Sequence, residues 1–219
     1  MATEIHDGVK RGRGRPQGFD RETALQQAMT LFWERGYEGT TFDELIAAMG
    51  ISPSSFYNSF GSKERLYQAA IDHYITCASC WFGRVLSEAT TTRTAFERLL
   101  DAAAAEFTRD DRPAGCMISL EGTHLPPALA SVRGRLMAHR AMSEQALAER
   151  LRRGVMSGDL PADTDVEVLA AFFSALFRGI AVQARDGASR ERLMAIGRVA
   201  MRAWPCGSRR LRGRDETPA

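Results

Sequence analysis

The chain has 219 residues, 44% of them hydrophobic and 26% charged, a composition that suits a globular protein able to bury one or two cores. Its formal net charge of only +2 excludes a bulk attraction for polyanions, so any affinity for nucleic acid must come from locally placed charge. Nearly all the base is arginine, with Lys10 and Lys63 the only lysines.

The first thirty residues hold no apolar stretch that could act as a secretion signal. Four cysteines without regular spacing give no disulfide framework, and a reducing cytoplasm is the expected setting. Strand alternation is almost absent and helical spacing recurs throughout, so the expected fold is all-α. Residues 1–18 are polar and rich in glycine and arginine and read as a flexible basic arm. Within it "KRGRGRP" (10 to 16) resembles an AT-hook core, and Arg13 and Arg15 are candidates to enter an A·T-rich minor groove.

The first helix should start at Asp20, an N-cap with Glu22 in the first turn, and bury Ala24, Ala28, Leu31 and Phe32 before Gly36 or Gly39. "TTFDEL" then offers Thr41 as N-cap and Glu44 three residues on, a capping box. Phe42, Leu45, Ile46 and Met49 make its apolar stripe, and Gly50 ends it where a left-handed residue is needed. Ser52 caps the next helix, Pro53 takes its first position, and Ile51 with Phe56 forms a hydrophobic staple. Two helices joined by so short a turn make a helix-turn-helix. Phe56 and Phe60 anchor the second, leaving Ser54, Ser55, Tyr57, Asn58 and Ser59 outside with donors and acceptors suited to a major groove. Ser62 caps a third helix, and Lys63 in its first turn opposes the helix dipole. That placement makes sense if a phosphate sits there.

The block "FDRETALQQAMTLFWERGYEGTTFDELIAAMGISPSSFYNSFGSKERLY" (19 to 67) resembles the DNA-binding domain of the TetR family of bacterial transcriptional regulators. "GYEGTT" and "FYNSFGSKERL" carry the likeness. The resemblance implies a helix-turn-helix domain over 19–67 and a helical effector-binding and dimerisation domain over 68–204, while the basic stretch over 205–219 reads by default as a disordered tail. It assigns phosphate contacts to Thr40, Thr41 and Lys63, contacts to phosphate and base edges to Ser52, Ser54 and Ser55, and a backbone or thymine contact to Tyr57. At Ser54 and Ser59 the chain departs from residues common in the family.

Further along, "TAFERLLDAAAAEF" (94 to 107) is an amphipathic helix, and a loop near "DDRPAG" precedes a short helix in "CMISLEG". A long charged helix follows, then a turn in "SGDLPADTD" with Asp163 or Thr164 as the expected cap of "VLAAFFSALFRGIAVQA" (168 to 184). That run is short for a membrane span and is broken by Arg178. It is apolar around too much of its circumference for one core face, so it should also meet a partner chain. Phe172, Phe173, Leu176, Phe177 and Ile180 are the expected dimer interface. By the resemblance, a homodimer presents two recognition helices to a palindromic double-stranded operator, and a small-molecule effector releases it. Trp81, Phe82, Phe107, Met117, His124, Met137 and Phe173 are candidates for the effector pocket.

Two alternatives stay open. Cys77 and Cys80 lie at i and i+3 and Cys116 could approach them, a soft-ligand set for a metal- or redox-responsive regulator. A helical interaction module without DNA contact would leave Lys63 and the arm unexplained. No His-Glu-x-x-His, phosphate-cradling glycine loop or Gly-x-Ser-x-Gly occurs, so no enzyme and no cofactor are expected.

Overall fold

A computed structural model of the chain describes residues 19–121 and 125–205, and among these it has nine α-helices and no strand. The arm with Arg13 and Arg15, the C-terminal tail and His124 lie outside the described residues, as do the side chains of residues 77–80, Cys77 and Cys80 among them.

Helix boundaries follow local chemistry. α1 (Arg21–Arg35) starts where the Asp20 carboxylate accepts from the backbone N–H groups of Glu22 and Thr23, and Gly36 closes it with φ 71°. α2 (Phe42–Met49) carries the full capping box between Thr41 and Glu44 and ends at Gly50, whose φ of 64° is left-handed. α3 (Pro53–Phe60) begins at the Ser52 cap with proline in its first turn. α4 (Lys63–Glu88) is capped by Ser62 and runs for 26 residues, so the expected domain boundary after 67 falls inside it.

α5 (Thr92–Phe107), α6 (Met117–Leu120), α7 (Ala130–Met156), α8 (Val166–Arg185) and α9 (Arg190–Ala200) complete the chain. Neither Asp163 nor Thr164 caps α8. Asp165 does, accepting from Val168 N at 3.1 Å, while the Thr164 hydroxyl turns back to Pro161 O at 2.7 Å. α8 is long and apolar enough by length and composition to cross a membrane, yet Phe173, Phe177, Ile180 and Ala181 are buried in the protein's own interior.

Two apolar cores result. The first gathers α1 to α3 and the start of α4, and also takes in Met117 and Ile118 of α6, Leu125, Leu129, and Val132 and Leu136 of α7. The second holds the end of α4 with α5, the later part of α7, α8 and α9. The first core is therefore closed by residues distant in sequence, which tie the helix-turn-helix to the larger helical part of the chain. Where α5 begins, the buried Arg150 donates to Thr92 Oγ1 at 2.7 Å and to Ala89 O at 3.2 Å, satisfying the carboxyl end of α4. Gly154 is required one turn on, because a Cβ there would collide with the Thr92 hydroxyl.

Candidate DNA interface and effector cavity

The polar face of α3 is held in place from beneath. Phe56 is fully buried, with its ring edge-on to Phe42 at 4.9 Å and tilted against Phe60 at 6.0 Å. Tyr57 stays 57% exposed, and its ring stacks on Phe42 at 5.4 Å, so an outward side chain has a fixed direction. Ser54 and Asn58 are exposed beside it, and Ser55 and Ser59 are half-buried. At the start of α3 the Ser52 hydroxyl accepts from Ser55 N at 3.2 Å and lies 3.0 Å from the hydroxyls of Ser54 and Ser55. Three hydroxyls thus cluster at a helix N-terminus, where the dipole favours an anion.

Thr41 is exposed, but its hydroxyl and N–H both donate to Glu44 Oε2 at 2.8 Å, and Glu44 also pairs with Arg35. These bonds, those to Thr41 first, lower the Glu44 pKa. Thr40 differs from the expectation. It is fully buried, and its hydroxyl donates to Gly36 O at 2.8 Å, so the side chain is occupied in closing the turn after α1.

Lys63 opens α4 with its Nζ 4.2 Å from the centre of the Tyr37 ring. The Tyr37 hydroxyl donates to Glu64 Oε1 at 2.9 Å, and burial followed by that carboxylate raises the phenol pKa. The ammonium is therefore seated on an aromatic face beside a helix N-terminus, a steady position for a phosphate contact.

A second site lies between α4, α7 and α8: a cavity of about 130 Å³ roofed by aromatic rings. Trp81 meets Phe82 at 5.8 Å and Phe107 at 6.3 Å, and Phe82 meets Phe177 at 6.2 Å, all edge-on. Trp81, Phe82 and Phe107 line the cavity as expected from the sequence. The other expected wall residues sit elsewhere. Met117 is buried in the first core, Met137 is 58% exposed, and Phe173 packs at 4.7 Å on Phe96 and 5.8 Å on Trp204.

The sequence reading missed the polar half of this wall: Arg140, His139 and Ser143 from α7, and Arg178 and Ser174 from α8. Arg178 interrupting an apolar run was the one signal that could have found it. Cys116 also lines the cavity, and among the described residues no three His, Cys, Asp or Glu side chains are placed to hold a metal.

Contacts link the cavity to the helix-turn-helix. Ile118 and Ser119 line it from α6, and Glu121 just beyond accepts from the Tyr67 hydroxyl at 2.8 Å. Tyr67 packs on Phe32 at 4.9 Å and Tyr37 at 5.1 Å. Arg185 at the end of α8 donates to Trp33 O on α1.

The residues expected at a dimer face do not share one exposed surface of α8. Phe173 and Ile180 are buried, and Phe177 faces the cavity, because the second core and the cavity claim that side of the helix. Phe172 is 43% exposed, and with Leu176 of α8 and Ala195, Ile196 and Val199 of α9 it lines an apolar surface groove.

Residues 24–70 match the family described as bacterial regulatory proteins, tetR family, and residues 95–196 match the tetracyclin repressor-like C-terminal domain. The HTH-type transcriptional repressor ComR of Escherichia coli (strain K12) is 37% identical over 206 residues, 94% of this chain and 98% of ComR. Among solved structures, a cysteine-substituted TetR family transcriptional regulator CifR, complexed with a 26-base-pair double-strand operator DNA, is 45% identical with a TM-score of 0.84. That likeness covers 88% of this chain and 100% of CifR. A TetR transcriptional regulator from Rhodococcus sp. RHA1 is 35% identical with a TM-score of 0.58, over 85% of this chain and 99% of that one.

Proposed function

The chain belongs to the tetR family of bacterial regulatory proteins and is a DNA-binding transcriptional regulator, and from that premise we propose how its parts divide the work. It acts in the cytoplasm as a homodimeric repressor that a small molecule in the α4–α7–α8 cavity releases from a palindromic operator. The observation that carries the DNA-reading face is the seating of α3. Its apolar side is fixed by Phe56 and Phe60, its outer side offers Ser54, Tyr57 and Asn58, and Lys63 stands at the adjoining helix N-terminus. Side chains on α3 would reach base edges, while Lys63, Thr41 and the Ser52 cluster would position the backbone phosphates.

The apolar groove of α8 and α9 supports pairing with a second copy, through Phe172, Leu176, Ile196 and Val199. Cavity and reading head share α4 and the first core, so a ligand that favours one arrangement of α4 and α6 alters the spacing of the two α3 helices. Relatives named as repressors support the sign of the response.

Selection of random duplex DNA by the purified chain tests this reading. The expected product is a palindrome with half-sites about one helical turn apart. Recovery of no sequence preference by ligand-free protein would overturn the assignment of the α3 face.

A further inference from the structure

We propose that the cavity takes a small organic carboxylate, an apolar body about one aromatic ring in size gripped by Arg140 and Arg178, and that Arg140 relays its arrival to the helix-turn-helix. The inference rests on the regulator reading above for its consequence on DNA, but not for the binding itself.

Size and walls set the body of the ligand. A cavity of about 130 Å³ is comparable to the roughly 150 Å³ apolar cavity that holds benzene. Edge-on rings of Trp81, Phe82, Phe107 and Phe177 suit a flat or short apolar group.

Charge sets the head group. Arg178, near the mouth, donates to Ser174 Oγ at 2.9 Å and Glu144 Oε2 at 3.3 Å, and Glu144 is not part of the lining. Arg140 is the less exposed of the two, and its Nη1 donates to the carbonyls of Ile118 at 2.8 Å and Glu121 at 3.2 Å. Burial and then the charge of Arg178 both disfavour the Arg140 cation. His139 also lines the cavity; burial first, and then the charge of Arg140, lower its pKa and disfavour a third cation there. A largely apolar cavity with two guanidinium groups and, among the described residues, no acid in its lining is complementary to one carboxylate, which two parallel N–H groups can hold in a fork.

The relay follows from the bonds Arg140 already makes. Its guanidinium fixes the carbonyls at the two ends of the segment from Ile118 to Glu121, and the Glu121 carboxylate holds Tyr67 of the first core. A carboxylate that draws the guanidinium toward the cavity weakens that hold. The change then passes through Tyr67 to Tyr37, on which Lys63 rests.

Calorimetric titration of the full-length protein with benzoate, cyclohexanecarboxylate and hexanoate, each against its primary amide, tests the site without DNA. At least one acid should bind, with its amide weaker by about tenfold or more, the difference expected of charge-assisted bonds. Arg178→Gln, on an exposed side chain that can change without loss of fold, should abolish most of that preference. Acid and amide binding alike, or no acid binding at all, would overturn the anion site. In operator titrations the bound acid should weaken DNA binding of the parent protein, and Arg140→Gln should bind the acid less well and lose the response. A bound acid that leaves operator affinity unchanged would overturn the relay while leaving the site. Failure of the DNA selection would overturn the regulator reading and leave the calorimetric result untouched.

Discussion

Lys63→Gln removes one charge from the expected operator face and separates stability from DNA affinity. In the folded chain its ammonium lies 4.2 Å from the Tyr37 ring centre, a contact worth about 0.5–1 kcal/mol. The same charge opposes the dipole at the start of α4, at a cost of about 0.3–1 kcal/mol. The two nearly cancel, so unfolding free energy should change by less than about 1 kcal/mol. On DNA a dimer loses two phosphate contacts. At about 0.9 per contact, the slope of log K against log salt should become shallower by about 1.8. Near 0.1 M salt that amounts to about sixty-fold weaker binding, or ~2.4 kcal/mol. Fluorescence anisotropy of a labelled operator duplex, titrated at several NaCl concentrations, reads both slope and affinity. Weaker binding with an unaltered slope would refute the phosphate role and make Lys63 a support for Tyr37. Unaltered binding would remove the start of α4 from the interface.

Replacing Phe172 with Glu and Leu176 with Arg charges the α8–α9 groove on side chains that are not fully buried, so the protein should fold and run as a monomer in light scattering. A persistent dimer would place the interface elsewhere. Phe173→Glu, by contrast, strikes the second core beside Phe96 and Trp204 and should cost upwards of about 3 kcal/mol in urea unfolding; a loss under about 1 kcal/mol would contradict its burial. Burial raises the Glu121 pKa above that of an exposed carboxyl, despite the Tyr67 bond and Arg185, so the folded state holds this proton more tightly than the unfolded chain. Its contribution is complete below about pH 4.3 and is lost as pH rises through the folded value. Glu121→Gln cannot titrate, and its stability above about pH 4 should fall less steeply in urea melts across pH. Parallel curves for the two proteins would refute the shift.

The helix-turn-helix was legible because its signals are local. The Thr41–Glu44 box, left-handed Gly50, Ser52 cap and Pro53 each act within a few residues, and all form as read. Thr40 was not legible, since the sequence alone does not reveal that its hydroxyl bonds back to Gly36. α8 defeated periodicity for a different reason. An apolar run on nearly all sides has no face that marks itself as inward, so Phe172 and Phe173 looked alike while one is half-exposed and the other fully buried. The cavity's arginines were missed because each is an ordinary charged residue on its own helix. Only the packing of α7 against α8 brings Arg140 and Arg178 to one space.

That α4 crosses from one core to the other bears on how such chains can be recombined. No loop separates the reading head from the sensor, so a hybrid joining this head to another sensor must be spliced inside a helix. Each residue inserted or removed at the splice rotates everything beyond it by about 100° and shifts it by about 1.5 Å along the axis. A splice out of phase would turn Tyr74 away from the cavity and break the match between Tyr67 and Glu121, even with every core residue retained. Exchange of heads and sensors would therefore be restricted to junctions that keep the helical phase of α4.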